Sequence, residues 1–422
     1  GAGSVDRRAR ALRHRRGVTP DGASGAVGAT GDGLPVERLR AETPGVDHVV
    51  HLNNAGSSLP PTVVVDTVVD HLRREAEIGG YEAAAEAADR TDGVYASIAR
   101  LIGARADQIA IVENATIAWD LAVHGYPFRP GDRVLTSRAE YAANVIALLQ
   151  LRRRHGIEIV QLDDDEHGQV SLDHLDRELD RGAVMVALTH LPTNDGLVNP
   201  AAEVGARCRA HDVLFVLDAC QAAGHVPLDV EAIGCDVLSA TGRKYLRGPR
   251  GTGFLYVGRR AFDALEPPFL DLHAADWTGA DTYEMRGDAR RFESWETNHA
   301  TRLGLGAAVD HLLELGVDAS WERVRTLGDA LRARLGEVPG LTVRDRGLVR
   351  SGIVTFSHDR VGAEEVQAAL SARRINTSVA PTTVGRWNRE PEGHPPLVRA
   401  SVHHYNTESE LDRLVEVLDS LG

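Results

Sequence analysis

Lys244 is the only lysine in a chain of 422 residues, so of the 47 Lys and Arg residues the other 46 are arginines. An amine can lose its proton and attack a carbonyl to form an imine, whereas a guanidinium with a pKa above ~12 cannot. One amine kept against an arginine background points to Schiff-base chemistry; a chance survivor of arginine-biased composition is the plain alternative. The neighbouring segments bear on the choice. The apolar run Val213 to Leu217 ends on Asp218. Further on, CDVLSATGRKYLRGPRGTGFLYV supplies a short strand, a Thr-Gly turn, Lys244, a Gly/Pro-rich loop and a strand from Phe254 to Val257. A carboxylate at the C-terminal end of one buried strand, with a lysine just past the next, suits pyridoxal phosphate (PLP). The lysine would carry the aldehyde, and the carboxylate would keep the ring nitrogen protonated.

The phosphate of such a cofactor needs an anion site. The strand expected over Arg105 to Val112 runs into Glu113-Asn114-Ala115-Thr116, and a helix over Ile117 to His124 follows. A small-residue turn at a helix N-terminus offers free backbone N–H groups and the positive end of the dipole. Asn114, Ala115 and Thr116 are therefore candidate phosphate ligands, with an ordinary N-cap as the alternative.

The order of these segments resembles the fold-type I PLP enzymes, and among them the class V aminotransferase and cysteine desulfurase family, over about residues 48–420. The family's Asp-Ala-x-Gln segment reads Asp218-Ala219-Cys220-Gln221, and its Ser-x-x-Gly-His-Lys segment reads Ser239-Ala240-Thr241-Gly242-Arg243-Lys244. The resemblance implies an α/β fold: a large domain around a mostly parallel mixed sheet, plus a small α+β C-terminal domain. It implies that Asp218 pairs with the cofactor nitrogen and that Thr241 and Arg243 hold phosphate. Tyr141, in Glu140-Tyr141-Ala142-Ala143-Asn144, stands where the family has a ring-stacking histidine; a tyrosine with pKa near ~10 can stack but shuttles protons less readily. The cofactor's phenolic oxygen would be held by Thr193 or Asn194, after the strand Val184 to Leu188, with Gln221 as a second candidate. Arg399, in Leu397-Val398-Arg399-Ala400-Ser401, matches the arginine that clamps the substrate carboxylate, for which a planar fork is suited. Asn54 would lie beside that carboxylate. Tyr81, in EIGGYEA, would line the mouth of the site or else be a core aromatic. Thr297, in Arg291-Phe292-Glu293-Ser294-Trp295-Glu296-Thr297-Asn298, would reach the phosphate of the opposite subunit, implying a homodimer with shared active sites. The family's glycine before that threonine is missing here.

A further departure concerns sulfur. The family's desulfurases carry a nucleophilic cysteine on a loop shortly before the carboxylate-binding arginine, whereas SVAPTTVGRWNREPEGHPP (378–396) has none. Cys220 is nearest the site and is expected to point into the core. EIGGYEA and ATGRK…RGPRGTGFLYV also resemble ergothioneine-type C–S lyases and related enzymes that process S-conjugates in actinobacterial, lincosamide-like antibiotic pathways. The reaction expected is β-elimination from an S-substituted cysteine, giving thiol, ammonia and pyruvate. Decarboxylating oxidative deamination, or an epimerase or aminotransferase of the same family, are the alternatives on the same cofactor. A cofactor-free binding protein is a different class, one that would stay colourless with added PLP.

The elements that must position these residues set broader bounds. The length suggests two domains: a flexible N-terminal extension at 1–34, a PLP-binding domain at 35–303 and a small domain at 304–422. A short helix is expected at Val36 to Ala41, a strand near residues 48–53 and a helix at Pro61 to Ala76. Gly304 to Leu315, Trp321 to Leu335, Ala363 to Ala372 and Glu408 to Leu421 are further helices, with strands near Leu341 to Val343 and Ile353 to Phe356. No run approaches the ~20 apolar residues of a membrane span. A formal charge of −14 argues against nucleic acid as a partner and fits a cytoplasmic enzyme acting on a small amino-acid substrate. The three cysteines lack metal-ligand spacing and read as reduced thiols. Asp163-Asp164-Asp165-Glu166 reads as a solvated turn, and no metal site is expected.

Overall fold

The apolar runs become a seven-stranded mixed sheet in a computed structural model describing residues 33–388, 393 and 395–421. The N-terminal extension up to residue 32, and residues 389–392 and 394 of the cysteine-free loop, lie outside the described residues. In chain order the strands are β1 (Ile109–Val112), β2 (Arg133–Ser137), β3 (Glu158–Leu162), β4 (Met185–Thr189), β5 (Leu214–Asp218), β6 (Val237–Thr241) and β7 (Gly253–Val257). Their spatial order is β1-β7-β6-β5-β4-β2-β3. All neighbours are parallel except β7, which runs antiparallel to both β1 and β6. This is the fold-type I PLP transferase fold. Strands β4 to β7 are buried at every position, as their mainly apolar sequences require when helices cover both faces.

Registry places the chemistry at one edge. Thr189 pairs with Asp218 and Asp218 with Ser239, so β4, β5 and β6 end side by side. Because β7 runs the other way, its first residue, Gly253, pairs with Thr241 at the end of β6 and with Val112 at the end of β1. The carboxyl ends of a parallel sheet are where such folds bind ligands.

A second, antiparallel sheet of four strands, β8 (Leu341–Val343), β9 (Ile353–His358), β10 (Ser378–Ala380) and β11 (Leu397–Ser401), runs in the order β8-β9-β11-β10. Its own apolar core takes Leu327 and Leu331, Val366 and Leu370, and Leu411 and Leu414 from three covering helices. The N-terminal segment reaches this sheet: Val50–His51 pairs with Ile375–Asn376, and Asn53 bridges to Ser401. Among the described residues no helix is long and apolar enough to cross a membrane, and no cluster of His, Cys, Asp and Glu is arranged to hold a metal.

Several boundaries differ from the sequence expectations for local reasons. The strand expected from Arg105 begins only at Ile109. Ala106–Gln108 is a 3-10 turn in which the Gln108 side chain accepts from the Arg105 N–H at 3.0 Å, which keeps these polar residues off the buried sheet. The helix expected from Gly304 starts at His299, capped by Asn298, and places Leu305, Val309 and Leu312 in the core under the large sheet. Two further helices that the sequence expectations do not include are the Ala-rich Gly80–Glu86 and the amphipathic Ala88–Ile102.

Behind Lys244 stands a buried column of rings. Tyr245 stacks on His225 (centroids 3.5 Å apart) and on His403 (5.2 Å), which in turn stacks on Tyr405 (5.1 Å). The hydrogen bonds require neutral imidazoles. His225 Nε2 accepts from the Gly352 N–H at 2.9 Å, and His403 Nδ1 accepts from the His404 N–H at 2.8 Å. Burial holds His403 and His404 well below the ordinary range and pushes His225 down to about 3 and nearby His190 down to about 4.

In the unfolded chain these four histidines protonate near pH ~6.5, so below that point the unfolded state binds more protons and stability falls as pH drops. Each contributes a loss of up to about 1.4 kcal/mol per pH unit. Carboxyls raised by burial, Glu140 to about 7 and Asp195 and Asp218 above their usual range, work in the opposite sense and offset part of this loss. The melting temperature should therefore fall on going from about pH 6.5 to about pH 5. A flat or rising profile in a calorimetric pH series would contradict the neutral column.

Candidate active site

A cavity of about 460 Å³ lies at the carboxyl ends of β1, β5 and β6, within the size range of cofactor sites. Lys244 and Asp218 both line it, and both are buried. Asp218 ends β5, and each of its carboxylate oxygens is held. Oδ2 accepts from Asn144 Nδ2 at 2.8 Å and Oδ1 accepts from the Cys220 N–H at 2.8 Å. Burial raises its carboxyl above the usual range, while these two donors and the Lys244 charge pull it back. Burial also lowers the Lys244 ammonium, which favours the neutral amine needed for attack on a carbonyl.

Tyr141 precedes the helix Ala142–His155 and lines the same cavity, its ring centroid 6.0 Å from Lys244 Nζ. Opposite it, Asn114, Ala115 and Thr116 open the helix Ala115–His124. Asn114 Oδ1 caps it by accepting from the Ile117 N–H at 3.0 Å, while the N–H groups of Ala115 and Thr116 have no acceptor within the helix. Gly253 permits this close approach: a Cβ there would sit 2.5 Å from the Ala240 carbonyl oxygen and 2.9 Å from Asn114 Cα. Thr241 and Arg243 line the cavity near this N-terminus, joined by Arg250, which the sequence reading missed. The Arg243 guanidinium makes no hydrogen bond or ion pair to the described residues, so a cation is available for an anionic group.

A second set of groups is linked by hydrogen bonds. Arg399 Nη1 donates to both the carbonyl and the hydroxyl of Thr193 at 2.9 Å, and its Nη2 donates to Asn53 Oδ1 at 3.2 Å. Gln221 Nε2 donates to Thr193 Oγ1 at 2.8 Å, leaving its buried Oε1 without a partner. Of the two residues left open by sequence, Thr193 makes these contacts and Asn194 does not. Burial lowers the Arg399 guanidinium to about 10, and its buried Nε is also unpartnered.

Asn54 does not belong with them. It is fully buried, donating to the Ser401 carbonyl at 2.7 Å and accepting from the Tyr405 hydroxyl at 2.6 Å, so it braces the fold. Its neighbour Asn53 faces Arg399 instead. Cys220 was expected to point into the core, yet it lines the cavity beside Lys244. The chain turns after Asp218, with Ala222 and Ala223 both donating to the Ala219 carbonyl, and strand alternation no longer applies. Tyr81 is 80% exposed, which rules out a core aromatic. Together with Thr297 it lines a larger cavity of about 1100 Å³ that meets the first at Glu113, Asn114, Ile117 and Gly251.

These residues fit PLP without adjustment. A buried amine and a buried carboxylate share one cavity, an unpaired guanidinium and an open helix N-terminus lie at one end, and Tyr141 forms a wall. Lys244 would hold the aldehyde, Asp218 the ring nitrogen, and Ala115, Thr116, Thr241 and Arg243 the phosphate.

Residues 50–414 match the Aminotransferase class-V family. A probable hercynylcysteine sulfoxide lyase of Mycobacterium tuberculosis is 33% identical over 400 residues, covering 94% of this chain and 95% of that protein. A probable cysteine desulfurase of Methanothermobacter thermautotrophicus is 28% identical over 400 residues, covering 92% of this chain and 98% of that protein. The apo cysteine desulfurase of Thermococcus onnurineus NA1 superimposes with a TM-score of 0.86 at 24% identity, covering 92% of this chain and 98% of that one.

Replacing Lys244 by Ala should abolish covalent capture of PLP, since no other side-chain amine can substitute. Borohydride reduction followed by mass analysis reads this directly, and a fixed adduct retained in Lys244→Ala would remove Lys244 from the role.

Proposed function

The chain belongs to the aminotransferase class-V family, a PLP-dependent enzyme family, and within it we propose that this protein is a C–S β-lyase. The substrate is an S-substituted cysteine, and with water it yields a thiol, pyruvate and ammonia. What carries the reading is the want of a loop cysteine where the family's desulfurases hold their sulfur acceptor: residues 378–396 contain none. The similarity to a probable hercynylcysteine sulfoxide lyase over nearly the whole chain supports it.

PLP, when bound, supplies an aldehyde to hold the substrate amine and a ring that accepts the electron pair released at the α-carbon. The remaining work falls to the protein. Arg399, positioned by Thr193 and Asn53, offers its fork to the α-carboxylate and so orients the Cα–H bond. The Lys244 amine, biased by burial toward its neutral form, takes the α-proton. The Cβ–S bond then breaks with its electron pair on sulfur, and the thiolate leaves as product. Asp218, gripped by Asn144 and the Cys220 N–H, keeps a negative charge at the ring nitrogen.

A homodimer belongs to the same proposal. Phe269, Leu272, Trp277, Tyr283 and Trp295 are all more than half exposed, large apolar side chains of the kind an interface covers. Trp295 and Phe269 also line the larger cavity with Thr297, beside the phosphate end of the smaller one. A second copy covering this face would bring Thr297 toward its partner's cofactor. The negative charge and small-molecule site suit a cytoplasmic enzyme of sulfur-metabolite or antibiotic biosynthesis.

A desulfurase reading is favoured by one observation, the Cys220 thiol in the cavity wall. Product analysis with PLP-loaded enzyme on a panel of S-conjugated cysteines separates the two. Thiol and pyruvate in equal amounts, with no carbon dioxide, are expected. With unsubstituted cysteine added to the panel, persulfide on Cys220 with alanine as co-product would instead make the protein a desulfurase, and carbon dioxide with an aldehyde from a conjugate would indicate oxidative decarboxylation. Arg399→Ala should raise KM for carboxylate-bearing substrates about tenfold or more, the loss of a charge-assisted pair of ~1.5–3 kcal/mol. Steady-state kinetics returning an unchanged KM would take Arg399 out of the substrate site.

A further inference from the structure

Beneath the cavity floor lies a second buried carboxylate, Glu140, in the link between β2 and the helix Ala142–His155. It touches neither cavity, yet both its oxygens are filled. Oε1 accepts from the Tyr141 N–H and Asn144 Nδ2, each at 2.9 Å, and from the Thr189 hydroxyl. Oε2 accepts from the Thr189 N–H and the Thr136 hydroxyl, each at 3.1 Å. Two of these donors are backbone N–H groups and one is an amide, none of which can reverse its role. Glu140 therefore ties together the ends of β2 and β4 and the start of the helix.

Asn144 is the coupling piece. Its single amide nitrogen carries two hydrogens, one directed to Glu140 at 2.9 Å and the other to Asp218 at 2.8 Å. With the amide reversed, its oxygen would face two carboxylate oxygens, so Glu140 and Asp218 together fix its orientation. Two buried carboxylates so close repel each other, and both burial and the Asp218 charge push the Glu140 carboxyl up, to about 7. A loop brace alone would be served by an uncharged residue. An oriented amide aimed at Asp218 is better served by a charged acceptor behind it.

We propose that Glu140 is a positioning residue for the cofactor's carboxylate partner: it grips one hydrogen of Asn144 so that the other fixes the rotamer and charge of Asp218. This rests on the PLP reading above, with Asp218 at the ring nitrogen.

The test uses PLP-loaded wild type, Glu140→Ala, Asn144→Ala and the double variant. Each single variant should bind PLP about tenfold more weakly, as loss of a charge-assisted hydrogen bond predicts. Each should also shift the absorbance maximum of the Lys244-linked cofactor and lower kcat while KM changes by less than about twofold. The double variant should be no worse than Asn144→Ala alone, because the two act through one path. Glu140→Ala with wild-type cofactor affinity and absorbance, or losses that multiply in the double variant, would overturn the proposal. If Glu140→Ala does not fold, Glu140→Gln keeps the volume and should show a smaller loss in the same direction, again without further loss when combined with Asn144→Ala. Wild type that fails to take up PLP would sink the functional reading itself, whereas normal wild type with unaffected Glu140 variants sinks only this inference.

Discussion

Burying an amine and a carboxylate at the ends of adjacent strands is the constraint from which the rest of this structure follows. Taking each charge out of water costs several kcal/mol unless donors and acceptors replace the lost solvent. For Asp218 the replacement is complete, with one oxygen on the Cys220 N–H and the other on Asn144. That demand fixes the turn after β5 and the first turn of the helix Ala142–His155. For Lys244 it is incomplete: the cavity offers the amine a thiol and an aromatic wall, and burial lowers its proton affinity. Two donors and the Lys244 charge thus offset part of what burial costs the Asp218 carboxylate, while burial biases Lys244 toward its neutral form.

The lysine is also aimed from behind. Arg247 adopts a left-handed backbone (φ 61°), a conformation that costs an arginine about 1 kcal/mol or more. Its N–H donates to the Lys244 carbonyl at 2.9 Å, and its guanidinium donates to Leu59 and Thr43 while lying over the Tyr405 ring. Between the two residues, Tyr245 is clamped in the ring column. The peptide carrying the reactive amine is therefore gripped by both the large sheet's turn and the residues that follow β11. Such over-determination is what lets a strained residue persist next to a functional one.

Much of this was legible in the sequence. Asp218 and Lys244 stand out because a buried strand and a Gly-rich turn both leave strong local patterns, and Asn114 because helix caps do. What escaped depended on direction rather than position. Asn53 and Asn54 are adjacent, and only the bridge from Asn53 to Ser401 decides which side chain faces Arg399. Cys220, between Asp218 and Gln221, was expected to point inward, which fails because the chain turns at Asp218. Glu140 and Asn144 were visible as a motif, but the Asn144 hydrogen bond to Asp218 spans 74 residues and is created by tertiary packing. The helix at Gly80–Glu86 was hidden by alanine, which favours helix strongly but leaves little periodic contrast.

A single buried lysine has one further consequence, for chemoselectivity. Aldehydes condense with any accessible amine, and an ordinary lysine-rich surface offers many decoys that would sequester an aldehyde cofactor. Here the cationic surface is built from arginine, which carries charge without nucleophilicity. An aldehyde meeting this molecule finds one side-chain amine, at the bottom of one cavity, already biased toward its reactive form.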